Sequence, residues 1–236
     1  DVVVGIGADF LSNWGSSTEN TWQYADRRRP ETATKTMPMS RHWHFEARMS
    51  LTGANADRRV AVRNSQLPSV VMGLHDAIAK ATGSTTVGTN KISDTADAAI
   101  AQCAGELLAA KGKSVVMCGS NDVSTQILVN SINSMLGSYG STIDLQNATF
   151  YHQGDDGTMA QLVKDMNAGS IGSVLIANTN PAYTLPNAEE FKAGLKKVGL
   201  SVSFSGHADE TASLCDWIAP DNHWLESWND LNPKPG

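Results

Sequence analysis

The sequence predicts an α/β protein of parallel sheets with helices on both faces, and three observations lead there. From Ser114 onward, short apolar runs alternate strictly with amphipathic stretches. Such strand–helix–strand units run their strands parallel and lay helices across them. Upstream, apolar residues recur at three- and four-residue steps in two stretches, as helices require. Finally, the apolar runs break off in turns rich in Gly, Asn and Asp, and in sheets of this kind ligands sit outside the carboxyl ends of the strands. The two loops of interest are therefore Gly119-Ser120-Asn121-Asp122 and Asn178-Thr179-Asn180-Pro181.

In chain order, residues 1–11 form an apolar run that ends in the turn Gly7-Ala8-Asp9, which reads as a strand. Residues 12–36 are polar but carry Trp14, Trp22 and Tyr24, and the aromatic spacing suits a short helix over 19–28 anchored by its rings. His42-Trp43-His44-Phe45-Glu46 alternates as a strand does. Val70, Val71, Leu74, Ala77, Ile78 and Ala81 mark a helix after Pro68 that Gly83 stops. A second helix starts at Ser93 or Asp94, puts Ile100, Cys103, Ala104, Leu107 and Leu108 on one face, and ends at Lys111-Gly112. Strand 114–118 leads into a helix bearing Ile127, Leu128, Ile132, Met135 and Leu136, then a short strand over 142–145. A helix from Thr158 to Gly169 aligns Leu162, Val163 and Met166. Strand 173–177, helix 187–198, strand 200–204 and a short strand at Trp217-Ile218 complete the pattern. A change of domain near Gly112 would give a nucleotide-domain-like segment, 1–112, and a second α/β segment, 113–236, both expected to be parts of a longer chain. The missing initiator Met and the ending Asn232-Pro233-Lys234-Pro235-Gly236 prompt that expectation.

With 41% hydrophobic and 18% charged residues, the 236-residue chain has the composition of a folded protein with a core. Its formal charge of −6 argues against nucleic acid, which demands clustered Lys and Arg. The one basic cluster, Arg27-Arg28-Arg29, reads as a solvated helix end or a contact with acidic neighbours. No run approaches the roughly 20 apolar residues of a membrane helix, and the first residues lack the charged region and cleavage site of a signal peptide. Cys103, Cys118 and Cys215 are far apart, whereas zinc and iron–sulfur sites need grouped thiolates; buried free thiols are expected at the first two.

Candidate functional residues each have a plainer structural reading. His42 and His44 share a strand face and so could offer a metal two imidazoles, but further ligands are lacking nearby, and core or interface histidines are expected. His207, Asp209 and Glu210 invite an acid–base reading, with Ser205 and Ser213 near in sequence; capping of residues 211–214 by Asp209 is the simpler role. Asn178–Pro181 suits a ligand at the sheet edge or a turn kept for its geometry. Trp14, Trp22, Trp43, Trp217, Trp224 and Trp228 flank loops more than periodic cores, which suits packing against partner subunits.

Three segments in order resemble the molybdopterin oxidoreductase family. They are Leu51-Thr52-Gly53-Ala54-Asn55-Ala56-Asp57 through Arg63; Ser114-Val115-Val116-Met117-Cys118-Gly119 with the following helix to Gly140; and a set of four steps. The four steps are Val174-Leu175-Ile176-Ala177-Asn178-Thr179-Asn180-Pro181, Asp209-Glu210-Thr211-Ala212, Cys215-Asp216-Trp217-Ile218-Ala219-Pro220 and Leu225-Glu226-Ser227-Trp228. The resemblance implies Rossmann-like domains. Within the family, Ala8-Asp9-Phe10-Leu11 and Met49 through Asp57 are most similar to the molybdopterin-oxidoreductase-like, iron–sulfur-fused subunit of alternative complex III.

What that likeness implies is a scaffold without a pterin, on the periplasmic side of the bacterial inner membrane. Quinol oxidation would proceed through iron–sulfur clusters and haem in neighbouring domains and in cytochrome c subunits. Two departures favour it: Ala47-Arg48-Met49-Ser50 stands where working members carry Asp-Pro-Arg, and Asn64-Ser65-Gln66-Leu67 replaces a glycine-bearing nucleotide loop. Accordingly no catalytic, cofactor-binding or metal-ligating residue is expected in this chain. The alternatives are a fragment of an active molybdenum bis-pterin oxidoreductase and a solute-binding α/β module.

Overall fold

The computed structural model describes residues 1–31, 39–148 and 154–228. The end of the polar stretch (32–36) and the final residues 232–236 lie outside them. The chain divides into two compact units, between residues 149 and 150.

In the first unit, strands β1 (Val2–Ile6), β2 (Arg41–Glu46), β3 (Arg58–Ala61) and β4 (Ser114–Cys118) form a parallel sheet in the order β3-β2-β1-β4. This corrects the boundary expected near Gly112, because β4 pairs along its whole length with β1 and 113–149 belong to the first unit. The register sets two faces. One carries His42, His44, Val3, Val115 and Met117. The other carries Val4, Ile6, Trp43, Phe45, Val116 and Cys118, buried beneath α3 (Leu67–Thr82) and α4 (Asp94–Ala109). Residues 42–46 of β2 are therefore buried on both sides, as a central parallel strand should be, and not half-exposed.

Local chemistry explains the helices. Pro68 sits in the first turn of α3, where its missing N–H costs nothing, and Gly83 ends it at φ 72°, which a glycine adopts without strain. The Ser93 and Asp122 side chains accept from Ala96 N and Thr125 N, capping α4 and α5 (Val123–Met135). The expected stripe of α5 is shifted: Val129, Ile132 and Leu136 are buried, while Ile127 is exposed. Residues 142–145 form no strand, only a single bridge between Tyr139 and Ile143. α1 (Ser17–Asp26) lies where a helix was expected but buries no residue fully, and Trp22 is exposed. Its ring anchor is Tyr24 alone, set against Phe10 and His42.

In the second unit, α6 (Asp156–Asn167) precedes β5 (Ser173–Ile176). A single turn, α7 (Pro181–Thr184), then α8 (Ala188–Leu195), lead to β6 (Leu200–Ser203) and β7 (Trp217–Ile218). The sheet is parallel, β5-β6-β7. Val163 and Met166 of α6 and Phe191 and Leu195 of α8 bury against Ile176, so both helices pack on the same face. Asp155 caps α6 through Gly157 N and Thr158 N.

Candidate functional site

At the carboxyl edge of the first sheet, the loop after β1 is held by Asp9. Its carboxylate accepts from Thr52 N at 3.0 Å and from Thr52 Oγ1 at 2.6 Å, and that hydroxyl oxygen in turn accepts from Leu11 N. Ser50 caps the four-residue helix α2 (Leu51–Ala54) that presents Thr52. Glu46 ends β2 with its carboxylate turned inward. It accepts from Arg59 Nε at 2.6 Å and from Ser50 N at 3.2 Å, and it fills the space a side chain on Gly53 would need. Burial pushes this carboxyl up, but the bonds from Ser50 and Arg59 outweigh it and hold Glu46 below the usual range. Leu67 packs on Gly7, and a Cβ on Gly119 would collide with the Gly7 carbonyl, so the loops after β1 and β4 meet backbone to backbone. In the loop after β4, Asp122 N donates to Ser120 Oγ and Asp122 caps α5 through Thr125 N, while Gln126 of α5 donates to Cys118 O and Ser120 O. Every carboxylate named here is thus occupied inside the chain. β2 ends at Glu46, and Arg48 stands two positions later.

Beneath this edge lie His42 and His44, both buried, with rings 5.6 Å apart. They share a face as predicted, and Gly5 opposite leaves the room the His44 ring needs. His42 Nδ1 lies 3.1 Å from Tyr24 Oη, which donates to Asn55 O at 2.9 Å. His42 Nε2 and both His44 nitrogens have no hydrogen-bond partner; His44 Nε2 is 3.3 Å from Glu46 Oε2, near enough to attract a charge but poorly aligned for a hydrogen bond. Burial, then the neighbouring His44 and Arg28, push His42 down to about 4, and burial likewise lowers His44. Both are neutral at pH 7. Among the described residues, no group of three or more His, Cys, Asp or Glu side chains is arranged to hold a metal. The arginine triplet meets acidic neighbours, as one reading expected: Arg27 with Asp1, Arg28 with Asp57, Arg29 with Asp26. An open cavity of about 690 Å³ lies over Val3, Val115 and Met117, walled by Phe10, Tyr24 and Tyr139.

At the carboxyl edge of the second sheet, the loop after β5 is tied to the segment after β6. Asn180 donates to Glu210 Oε2 at 2.7 Å and accepts from Thr211 Oγ1 at 2.6 Å, while Ala182 N donates to that hydroxyl oxygen at 2.9 Å. Asp209 accepts from Thr211 N and Ala212 N and so caps the turn over Ala212–Leu214, the simpler of its two expected roles. Backbone donors, chiefly Ala212 N, hold its carboxyl below the usual range. Ser205 Oγ donates to Asp209 at 3.0 Å and Ser213 Oγ donates to Ala208 O. Neither hydroxyl is hydrogen-bonded to the His207 ring, so the arrangement lacks the nucleophile–base contact that acyl chemistry requires.

Sequence reasoning passed over Asp9, Thr52 and Thr211, which knit these edges, and Asp57, which holds the start of β2. Their signal is weak: a short polar side chain beside a turn is common, and its partner lies 15 to 43 residues away. Cys103 and Cys118 are buried free thiols, as expected, with burial raising both. Among the described residues no helix is long and apolar enough to cross a membrane.

The family model described as molybdopterin oxidoreductase matches residues 43–231. Over 59 residues the chain is 39% identical to the menaquinone reductase, molybdopterin-binding-like subunit of Nitratidesulfovibrio vulgaris, a match covering 25% of this chain and 8% of that protein. The chain therefore spans well under two thirds of this relative.

Proposed function

The chain belongs to the molybdopterin oxidoreductase family, and from that premise we propose that it is a cofactor-free scaffold segment of a respiratory quinol-oxidising complex of the alternative complex III type. The observation that carries this reading is the self-satisfied edge of the first sheet. Asp9, Glu46 and the loop after β4 spend their hydrogen bonds inside the chain, and Leu67 lies against Gly7. Side chains engaged within the chain and loops closed on one another speak against a pterin nucleotide, which needs free hydrogen-bonding groups and close backbone approach at such an edge. The relative's printed name, a binding-like subunit of a menaquinone reductase, supports a place in a multi-subunit quinone-linked complex. In that setting the segment is peripheral, on the periplasmic side of the membrane, and iron–sulfur clusters and haem in neighbouring domains and cytochrome c subunits carry the electrons.

A second reading, a segment of a working molybdenum bis-pterin enzyme, draws on Glu46-Ala47-Arg48. It keeps the acidic-x-Arg spacing of the family's Asp-Pro-Arg step at the end of β2, with Arg48 exposed. Metal and pterin analysis of the complete native complex separates the two. The scaffold reading expects iron and haem without molybdenum, tungsten or oxidised-pterin fluorescence; near-stoichiometric metal and pterin would overturn it.

A further inference from the structure

Among the described residues, no helix packs on one face of the second sheet. Leu175, Val202 and Trp217 are register partners across β5, β6 and β7, so their side chains form one row on one side of the sheet. Ser173 and Leu200 make the adjacent row. Leu175 and Trp217 are each 66% exposed and Leu200 is 41% exposed. The opposite face, with Val174 and Ile176, takes both α6 and α8. No residue of the bare rows is charged, so water has nothing there to solvate but apolar surface and one hydroxyl.

Parallel sheets occur almost only with both faces covered, and the covering elements are helices. Adjacent strands are about 4.8 Å apart, so a row across three strands spans about 10 Å, roughly the diameter of one helix. Chain able to supply such a helix exists in proteins of this kind. The 59 matched residues are 25% of this chain but 8% of the relative, which is therefore about three times as long. We propose that the Leu175–Val202–Trp217 face is a docking surface for the apolar side of an amphipathic helix supplied by chain outside these 236 residues. The inference rests on the scaffold reading only in giving the segment neighbours to dock, and pterin analysis tests that reading separately.

The test is made in the native assembly. With Trp217→p-benzoylphenylalanine, irradiation and peptide mapping are expected to find cross-links to an outside segment whose apolar residues recur at helical spacing. Cross-links confined to this chain or to a second copy of it, or cross-links to lipid, overturn the proposal. As a second measurement, Leu175→Cys should react with a maleimide at least about tenfold more slowly than Tyr183→Cys, since a covered site must open before it reacts. Tyr183 is 73% exposed and lies on α7, outside the three strands. Equal labelling rates mean that nothing covers the face, whatever the pterin content.

Discussion

At His42 a neutral imidazole is wholly buried between Tyr24, Phe10 and His44, with Arg28 and Asp57 close by. Its ordinary value of 6.5 falls to about 4 in the folded chain. A histidine depressed in this way contributes stability that is complete above 6.5 and lost as pH falls toward 4, because the unfolded chain takes up the proton first. The loss is on the order of 3 kcal/mol across that window. Asp57, held at about 2 mainly by Arg28, adds its own loss only at the bottom of this window, where the unfolded carboxylate begins to protonate toward 3.8, so most of the fall above pH 5 belongs to the histidines. Urea midpoints measured from pH 7 to pH 4 should fall, and His42→Leu should flatten the profile, leaving what His44 and the carboxylates contribute. An unchanged slope in His42→Leu would place the titration elsewhere. A second residue-scale test concerns Asn178, at φ 54° just past β5. Asn tolerates that backbone better than other side chains do. Asn178→Ala should cost about 1 kcal/mol by thermal unfolding, and Asn178→Gly should cost little.

Strand β4 lies at the edge of its sheet, and the helix that follows it supplies what a fifth strand would. Asn133 Nδ2 donates to Val116 O at 2.8 Å and Asn133 Oδ1 accepts from Val116 N at 3.0 Å. Ser138 and Thr142 donate to Ser114 O, and Gln126 to Cys118 O. The edge is thereby closed to pairing with another chain. Asn133→Leu strands both Val116 groups where the residue is 2% exposed, and should cost about 2–5 kcal/mol in urea unfolding, since each orphaned buried group costs about 1–3. A cost below 1 kcal/mol would mean that water replaces the amide. Most elements were legible because their signals are local: the α3 stripe with Gly83, the Ser93 cap, and the apolar runs of β1, β4 and β5. What failed depends on tertiary placement. The 142–145 run looks strand-like, but Thr142 is drawn to Ser114 O. Ile127 fits the periodicity of α5, yet the helix is rotated so that Val129 faces the core. The four-residue helices α2 and α7 are too short to show any period.

At the scale of the whole chain, alternation from Ser114 onward looks like one continuous second domain, because nothing in a strand's own sequence says which sheet it joins. Pairing of β4 with β1, more than 100 residues earlier, decides it, and the site edges follow from the same long-range pairings. Each unit consequently owns a core that shares no residue with the other: Ile6, Leu74, Leu107 and Ile132 in the first, Met166, Ile176, Phe191 and Leu195 in the second. Phe191 is 1% exposed, and truncating such a ring costs about 3–5 kcal/mol through lost transfer energy and the cavity left behind. Because the cavity would lie wholly within the second core, Phe191→Ala should lower native-state hydrogen-exchange protection in β5, β6 and α8 by about that amount. Amides of β1, β4 and α3 should keep their protection. Equal loss in both sets would show that the two units unfold as one, and that separate cores do not here make separate cooperative units.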